Sequence, residues 1–227
     1  MLRLSGILAA ALVSAAASAA GLDDISNREA VNGLKQALSN GAQAAVAKLG
    51  KENGFLGDPR IRIPLPPSMK RAEAVMHSIG AGKQVDDLVL RMNRAAEAAV
   101  PEAKPLLVDA AKKMTVQDAK GILTGGQDSA TQYFKRTTSE PLAKKFKPIV
   151  VKAMAKVKLA EKYDEIAASG AKFGLLKEDD SNLEDYVTRK ALDGLFVGIA
   201  DEEKKIRENP KGAASSIVKK VFGALMK

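Results

Sequence analysis

Apolar residues recur three and four positions apart along most of this 227-residue chain, which is the spacing of one face of an α-helix. The clearest stripe consists of Val31, Leu34, Leu38, Ala42, Ala45 and Leu49. Only 4% of the residues are aromatic, so these stripes are built mainly from small and aliphatic side chains, which favours helices over sheets. We therefore predict an all-α fold, a single domain of about eight to ten helices packed as antiparallel pairs.

Polar residues that typically begin helices divide the chain into segments. Three pairs have the spacing of a capping box, in which two side chains satisfy N–H groups at the helix start: Ser26 with Glu29, Thr115 with Asp118, and Ser181 with Glu184. A short helix is expected to begin at Asp128 or Ser129. Ser139 is then expected to begin the next helix, with Pro141 in its first turn.

Residues 61–67, with the sequence IRIPLPP, cannot form a helix. Proline lacks the N–H donor and restricts the residue before it to extended conformations. We predict an extended, proline-rich connector that lies over the helices, with a strand as the alternative.

Residues 104–113 and 147–156 resemble each other, with five of ten positions identical at an offset of 43. Such a period suits stacked helical pairs. Two helices rich in Lys and Ala also match this well by composition alone.

The first nineteen residues have the layout of a secretory signal peptide. A short positive start ending at Arg3 precedes an apolar run from Leu4 to Val13, and an A-x-A site ends at Ala19. We predict that residues 1–19 are removed and that residues 20–227 form the helical domain in the periplasm. An uncleaved membrane anchor is the alternative, but the run is short for a span of roughly 20 residues. No other segment is apolar and long enough to cross a bilayer, so no transmembrane segment is expected in the mature chain.

Composition narrows the classes of partner. The formal net charge is +9, and it falls to about +8 when Arg3 leaves with the leader. An exported protein rarely meets nucleic acid, so the expected partners are anionic lipid, an anionic envelope polymer or another envelope protein. Acids alternate with the lysines along most segments, which is also typical of a solvated face.

One polar cluster is the candidate ligand site. Tyr133, Lys135, Arg136 and Thr137 fall within about one helical turn, so an aromatic ring, cations and a hydroxyl group are close together. Arg91 and Arg94 share one side of a helix and join the cluster if the two helices pack together. Such groups hold carboxylate or phosphate. Alternatively, Arg136 and the threonines satisfy helix ends around Ser139.

Side chains for catalysis are scarce. The chain has one His, His77, and no Cys, which excludes thiol chemistry and a typical zinc site. We predict no catalytic residue, no metal site and no cofactor. The favoured function is a non-enzymatic binding or interaction module of the bacterial periplasm. A carrier of an apolar or lipid-like ligand and a hydrolase with an unrecognised site are the alternatives.

Six segments in a fixed order carry a resemblance to a known family. In chain order they read IPLP at 63–66, MNRAAEAAVPEAKP at 92–105, MTVQDAKGILTGG at 114–126, ATQYFKRTTS at 130–139, KALDGLF at 190–196 and EEKKIRENP at 202–210. With them the chain resembles a bacterial envelope family, domain of unknown function 4197. The resemblance covers essentially the whole mature chain and implies a helical, exported protein, but no activity. Members often look like lipoproteins with a Cys at the mature N-terminus, which this sequence lacks.

We expect the mature protein to begin at Ala20 or Gly21, because the A-x-A site places cleavage after Ala19 or Ala20. N-terminal sequencing of the protein recovered from the periplasmic fraction checks this. Recovery of a chain with Met1 intact, or of a chain found entirely with membranes, would contradict it.

Overall fold

The computed structural model of the chain describes residues 27–156, 158, 161 and 183–209. The predicted signal peptide and the predicted caps at Ser26 and Ser181 lie outside the described residues.

Helices account for most of the described chain. They are α1 (Asn27–Leu49), α2 (Lys70–Ser78), α3 (Gly82–Ala99), α4 (Lys104–Lys113), α5 (Val116–Thr124), α6 (Ser129–Lys156) and α7 (Leu183–Glu208), with short 3₁₀ helices at Pro67–Met69 and Val100–Ala103. No strand occurs within these described ranges, so the all-α prediction is confirmed. The helix count for the whole chain stays a prediction.

The start of α5 has the predicted capping box. The Thr115 hydroxyl accepts from the Asp118 N–H at 3.1 Å, and the Asp118 carboxylate accepts from the Thr115 N–H at 3.0 Å. Both bonds satisfy N–H groups that have no partner within the helix.

The predicted break at Ser139 is wrong, because α6 is one continuous helix from Ser129 to Lys156 that contains Pro141 and Pro148. The hydroxyl groups of Thr137 and Thr138 donate to carbonyl groups one turn earlier, at 2.7 and 2.6 Å, instead of capping a helix end. Burial of apolar side chains offsets the destabilising effect of the two prolines on the helix. A stripe along α6 packs into the core, and its members include Phe134, Leu142, Phe146 and Val150.

The packing is centred on α1, α6 and α7. α1 packs between α4 and α7, and α6 packs against both α7 and α3. Gly41 of α1 faces Glu202 of α7, whereas Leu49 faces Gly198, so α1 and α7 run antiparallel. The two similar decapeptides fall in different surroundings: residues 104–113 form the whole of α4, and residues 147–156 are the last ten residues of α6.

A buried carboxylate of α7 holds the start of α6. Glu203 accepts hydrogen bonds from the N–H groups of Ala130 and Thr131, at 2.9 and 2.8 Å, and from the Thr131 hydroxyl at 2.8 Å. Arg207 donates to the same carboxylate at 3.0 Å. Because helix N-termini carry unpaired N–H groups and favour negative charge, this contact fixes the position of α6 against α7.

The irregular segment between α1 and α2 is held by side chains of α3. Asn93 pairs with both the N–H and the carbonyl of Ile63, each at 2.9 Å. Glu97 accepts from the Phe55 N–H at 3.0 Å. Residues 62–66 have neither helix nor strand geometry, and these side chains supply the backbone partners that a sheet would otherwise provide.

Glycines of α7 allow this segment to approach closely. A Cβ added at Gly194 would overlap the Phe55 ring and lie 3.3 Å from the Ile61 Cβ. Phe55 is fully buried, so the ring has little freedom to move away.

We expect Gly194→Ala to lower the free energy of unfolding by about 1–3 kcal/mol, because overpacking strains a filled core. Gly121→Ala is the matched control, since a Cβ there meets nothing within 4 Å, and alanine favours a helix by roughly 0.5–1 kcal/mol. Urea unfolding of both variants is the measurement. Equal stabilisation of both would contradict the close approach.

A charged cluster joins the same segment to α7. Arg60 donates to Asp201 at 2.7 and 2.9 Å and to Asp58 at 2.7 Å, and Lys48 lies 3.6 Å from Asp201. The hydrogen bond from Arg60 lowers the pKa of Asp58 to about 2 and also lowers the pKa of Asp201.

We expect Arg60→Gln to lower the melting temperature at pH 7. The free energy of unfolding should fall by no more than about 1 kcal/mol, because the cluster is partly exposed. A carboxylate whose pKa is lowered in the folded state stabilises the folded protein at pH values above its unfolded-state pKa. The difference in melting temperature between the variant and wild type should therefore shrink from about pH 4 towards pH 2. Thermal unfolding across this range measures it. Arg62→Gln is the control, and a difference that persists unchanged at pH 2 would contradict the assignment.

Candidate functional site

One cleft beside α6 lies between α6 and α7 and is called here the α6–α7 cleft. Its volume is about 520 Å³. It is lined by Lys135, Ser139, Ala143, Lys144 and Lys147 of α6 and by Asp185, Thr188, Arg189, Leu192, Asp193 and Phe196 of α7.

Two contacts define the direction of this cleft. The Lys135 ammonium lies 5.9 Å from the centre of the Phe196 ring, and the Lys147 ammonium lies 2.7 Å from Asp185. The early part of α6 therefore faces the later part of α7, so the two walls are antiparallel. From Lys135 to Lys147 the wall is about 18 Å long at 1.5 Å per residue.

The rim of the α6–α7 cleft is mainly cationic. Lys147 is paired with Asp185, whose hydrogen bond raises the pKa of Lys147, and Lys144 is paired with Glu140 at 2.7 Å. Lys135 and Arg189 contact the rings of Phe196 and Tyr186. Within the described residues no ion pair involves these last two cations, so their charge is available to an anion.

The floor is apolar apart from one hydroxyl group. Leu192 and Phe196 are buried, and Thr188 is 5% exposed. The Thr188 Oγ1 atom has no hydrogen-bond partner in the described part of the chain. Buried polar groups are nearly always paired, so this atom is exceptional.

A smaller cleft of about 270 Å³ lies between α4 and α6. Its lining includes Tyr133 and Thr137 of α6, with the ion pair between Lys113 and Asp109, at 2.8 Å, on its edge. Burial raises the pKa of the Tyr133 phenol.

The structure separates the four predicted site residues of α6. Lys135 lines the α6–α7 cleft, whereas Tyr133 and Thr137 line the cleft against α4. Arg136 is exposed and lines neither cleft. The hydrogen bonds with Thr115 lower the pKa of Asp118 in α5, and the charge of Arg136 lowers it slightly further. Arg136 therefore lies near α5.

The two predicted arginines of α3 have other partners. Arg91 pairs with Asp87 at 2.9 Å, one turn earlier on the same helix. Arg94 pairs with the buried Glu97 and also donates to Glu52 and Asn53, at 3.1 and 2.9 Å. Arg94 therefore helps to hold the segment after α1.

Sequence reasoning missed most of the α6–α7 cleft. On α6, positions 135, 139, 143 and 147 follow each other at four-residue intervals, with small side chains between two lysines. That spacing was a usable signal. Thr188, Arg189 and Phe196 were not accessible to the same reasoning, because only the packing of α7 against α6 brings them to the site.

Other chemistry has little support in the described ranges. His77 lies half-exposed in the last turn of α2, 3.9 Å from Asp86. Among the described residues no three His, Asp or Glu side chains lie together as metal ligands. None of the described helices has the length and apolar character to cross a membrane.

Comparison with known proteins identifies the family. Residues 24–223 match the model of a family described as protein of unknown function, DUF4197. The chain belongs to the DUF4197 family. This match confirms the resemblance that the six motifs indicated, and it includes both walls of the α6–α7 cleft. No curated protein and no solved structure matches this DUF4197 chain.

Proposed function

We propose that this DUF4197 protein is a non-enzymatic binding protein of the bacterial periplasm, which holds a small anionic ligand in the α6–α7 cleft. The observation that carries the proposal is a cleft of about 520 Å³ with an apolar floor and two cations, Lys135 and Arg189, that have no carboxylate partner among the described residues. Pockets that bind small molecules have this size and this combination of apolar surface with a few polar groups.

The cationic rim supports an anionic ligand. The Arg189 guanidinium offers paired donors that suit carboxylate or phosphate oxygens, and a lysine ammonium adds a point charge. Lys144 and Lys147 hold their own carboxylates on the rim, so they strengthen the positive potential less than their number suggests.

The lining supports binding over hydrolysis. Ser139 is a potential nucleophile in the cleft, but His77, the single histidine of the chain, does not line it. Asp185 is bonded to Lys147, so that carboxylate is already engaged. A positioned general base beside a nucleophile is what hydrolysis requires.

The periplasmic assignment rests on the leader of residues 1–19 and on the lack of cysteine. In that compartment the available anionic partners are lipids, envelope polymers and other envelope proteins. A carrier role follows if the ligand is lipid-like.

We expect Ala143→Leu to abolish binding in the cleft. Leucine at this half-buried position fills the space between α6 and α7 without changing charge, and it is a good helix former. Binding of the anionic fluorescent probe anilinonaphthalene sulfonate to the full mature chain is the measurement, and an affinity loss of about tenfold or more is expected for the loss of roughly 1.4 kcal/mol or more.

Ala155→Leu is the matched control, because Ala155 is an exposed residue of the same helix outside the cleft. It should bind the probe as wild type does. Equal binding by both variants, with both correctly folded, would place the probe elsewhere and contradict the proposal.

A further inference from the structure

The unpaired hydroxyl of Thr188 is the most unusual polar atom in the described part of the chain. Less than 1 Å² of Oγ1 is reached by solvent, and the atom makes no hydrogen bond with any described residue. Leaving a buried donor unpaired destabilises the folded protein, because the group loses its hydrogen bonds with water. A valine would fill the same space without an unpaired hydroxyl. The missing hydrogen-bond partner of Thr188 is therefore expected to be a group of the ligand that the cleft binds.

The cleft changes character along α7 on either side of Thr188. One turn earlier lie Asp185 and its partner Lys147, and Arg189 follows Thr188 directly. One turn later is Leu192, and two turns later is Phe196, which Lys135 covers. The hydroxyl therefore stands between an end that contains Arg189 and the Lys147–Asp185 pair and an end with an apolar floor, which Lys135 and Asp193 also line.

We propose that the ligand is a single-chain anionic amphiphile, whose head group accepts a hydrogen bond from Thr188 and whose apolar chain lies along Leu192 and Phe196. This inference rests on the proposed function and adds the class and the orientation of the ligand. The head group lies at the Arg189 end, because that end has a cation without a carboxylate partner among the described residues and the unpaired hydroxyl of Thr188.

A small movement makes the hydroxyl available. In a helix, threonine occupies two χ1 rotamers, and rotation about the Cα–Cβ bond moves Oγ1 from one position to the other. Without a ligand, Oγ1 has no acceptor among the described residues. A carboxylate or phosphate oxygen at the floor supplies that acceptor, and a charge-assisted bond is stronger than one between neutral groups.

The apolar end accounts for the chain of the amphiphile. Leu192 and Phe196 are 7% and 4% exposed, so they form a solid surface for a chain to cover. The small side chain of Ala143 on the opposite wall leaves the space above them. Each methylene group that leaves water at such a surface contributes to binding.

Thr188→Val in the full mature chain tests the inference, with decanoate and decyl phosphate as probes in isothermal titration calorimetry. Valine is the same shape, so the melting temperature without ligand should rise while affinity for at least one of the two probes falls about tenfold or more. Thr188→Ser keeps the hydroxyl and should keep the affinity. A hydroxyl with only a structural role would change the melting temperature and leave affinity unaltered, which would overturn the inference.

The two probes separate the sources of the head group. Tighter binding of decanoate indicates a fatty carboxylate, and tighter binding of decyl phosphate indicates a lipid phosphate. Decanol and decyltrimethylammonium have the same chain without negative charge and should bind at least tenfold more weakly. Equal binding of all four would overturn the inference.

Failure of the inference is distinguishable from failure of the proposed function. If inorganic phosphate or benzoate binds and Ala143→Leu abolishes that binding, while neither decanoate nor decyl phosphate binds, the cleft holds anions but not amphiphiles. In that case the inference is overturned and the proposed function stands. If no anionic probe binds, both are overturned.

Discussion

The arrangement of α6 and α7 depends on one buried carboxylate. Glu203 receives three hydrogen bonds from the first turn of α6 and two further ones from Arg207. A buried charge is tolerated only when it is paired and its lone pairs are occupied. The helix start needs acceptors and the carboxylate needs donors, so neither element is stable at this place without the other. The cleft that the two helices enclose begins from this fixed end.

The same logic applies on the other side of the core, where Asn93 and Glu97 of α3 satisfy the backbone of a segment without secondary structure. Side chains thus perform the pairing that a sheet performs elsewhere. Against this background the unpaired hydroxyl of Thr188 is an exception within a well-paired interior. It lines the α6–α7 cleft, where a ligand can supply the partner that the protein does not.

Local signals were readable from the sequence, and tertiary ones were not. The stripe of α1 and the cap at Thr115 depend on residues three or four positions apart, and both were predicted correctly. The break at Ser139 was wrong, because packing against α3 and α7 maintains the helix through Pro141. The site prediction named Lys135, which lines the α6–α7 cleft, but grouped it with Arg94. The spacing of Arg94 and Glu97, three residues apart on one helix, was a local signal of their pairing, whereas the contact of Arg94 with Glu52 depends on tertiary packing.

The two prolines of α6 have a consequence for the order in which the chain folds. Each removes a backbone hydrogen bond within the helix, so an isolated segment of this sequence has little tendency to be helical. Its stability comes from neighbours that are distant along the chain, above all from the Glu203 carboxylate and the buried face of α7. α6 should therefore form together with its partners rather than ahead of them. The α6 wall of the cleft therefore forms only when α6 and α7 fold together. Local unfolding of α7 would also unfold this wall.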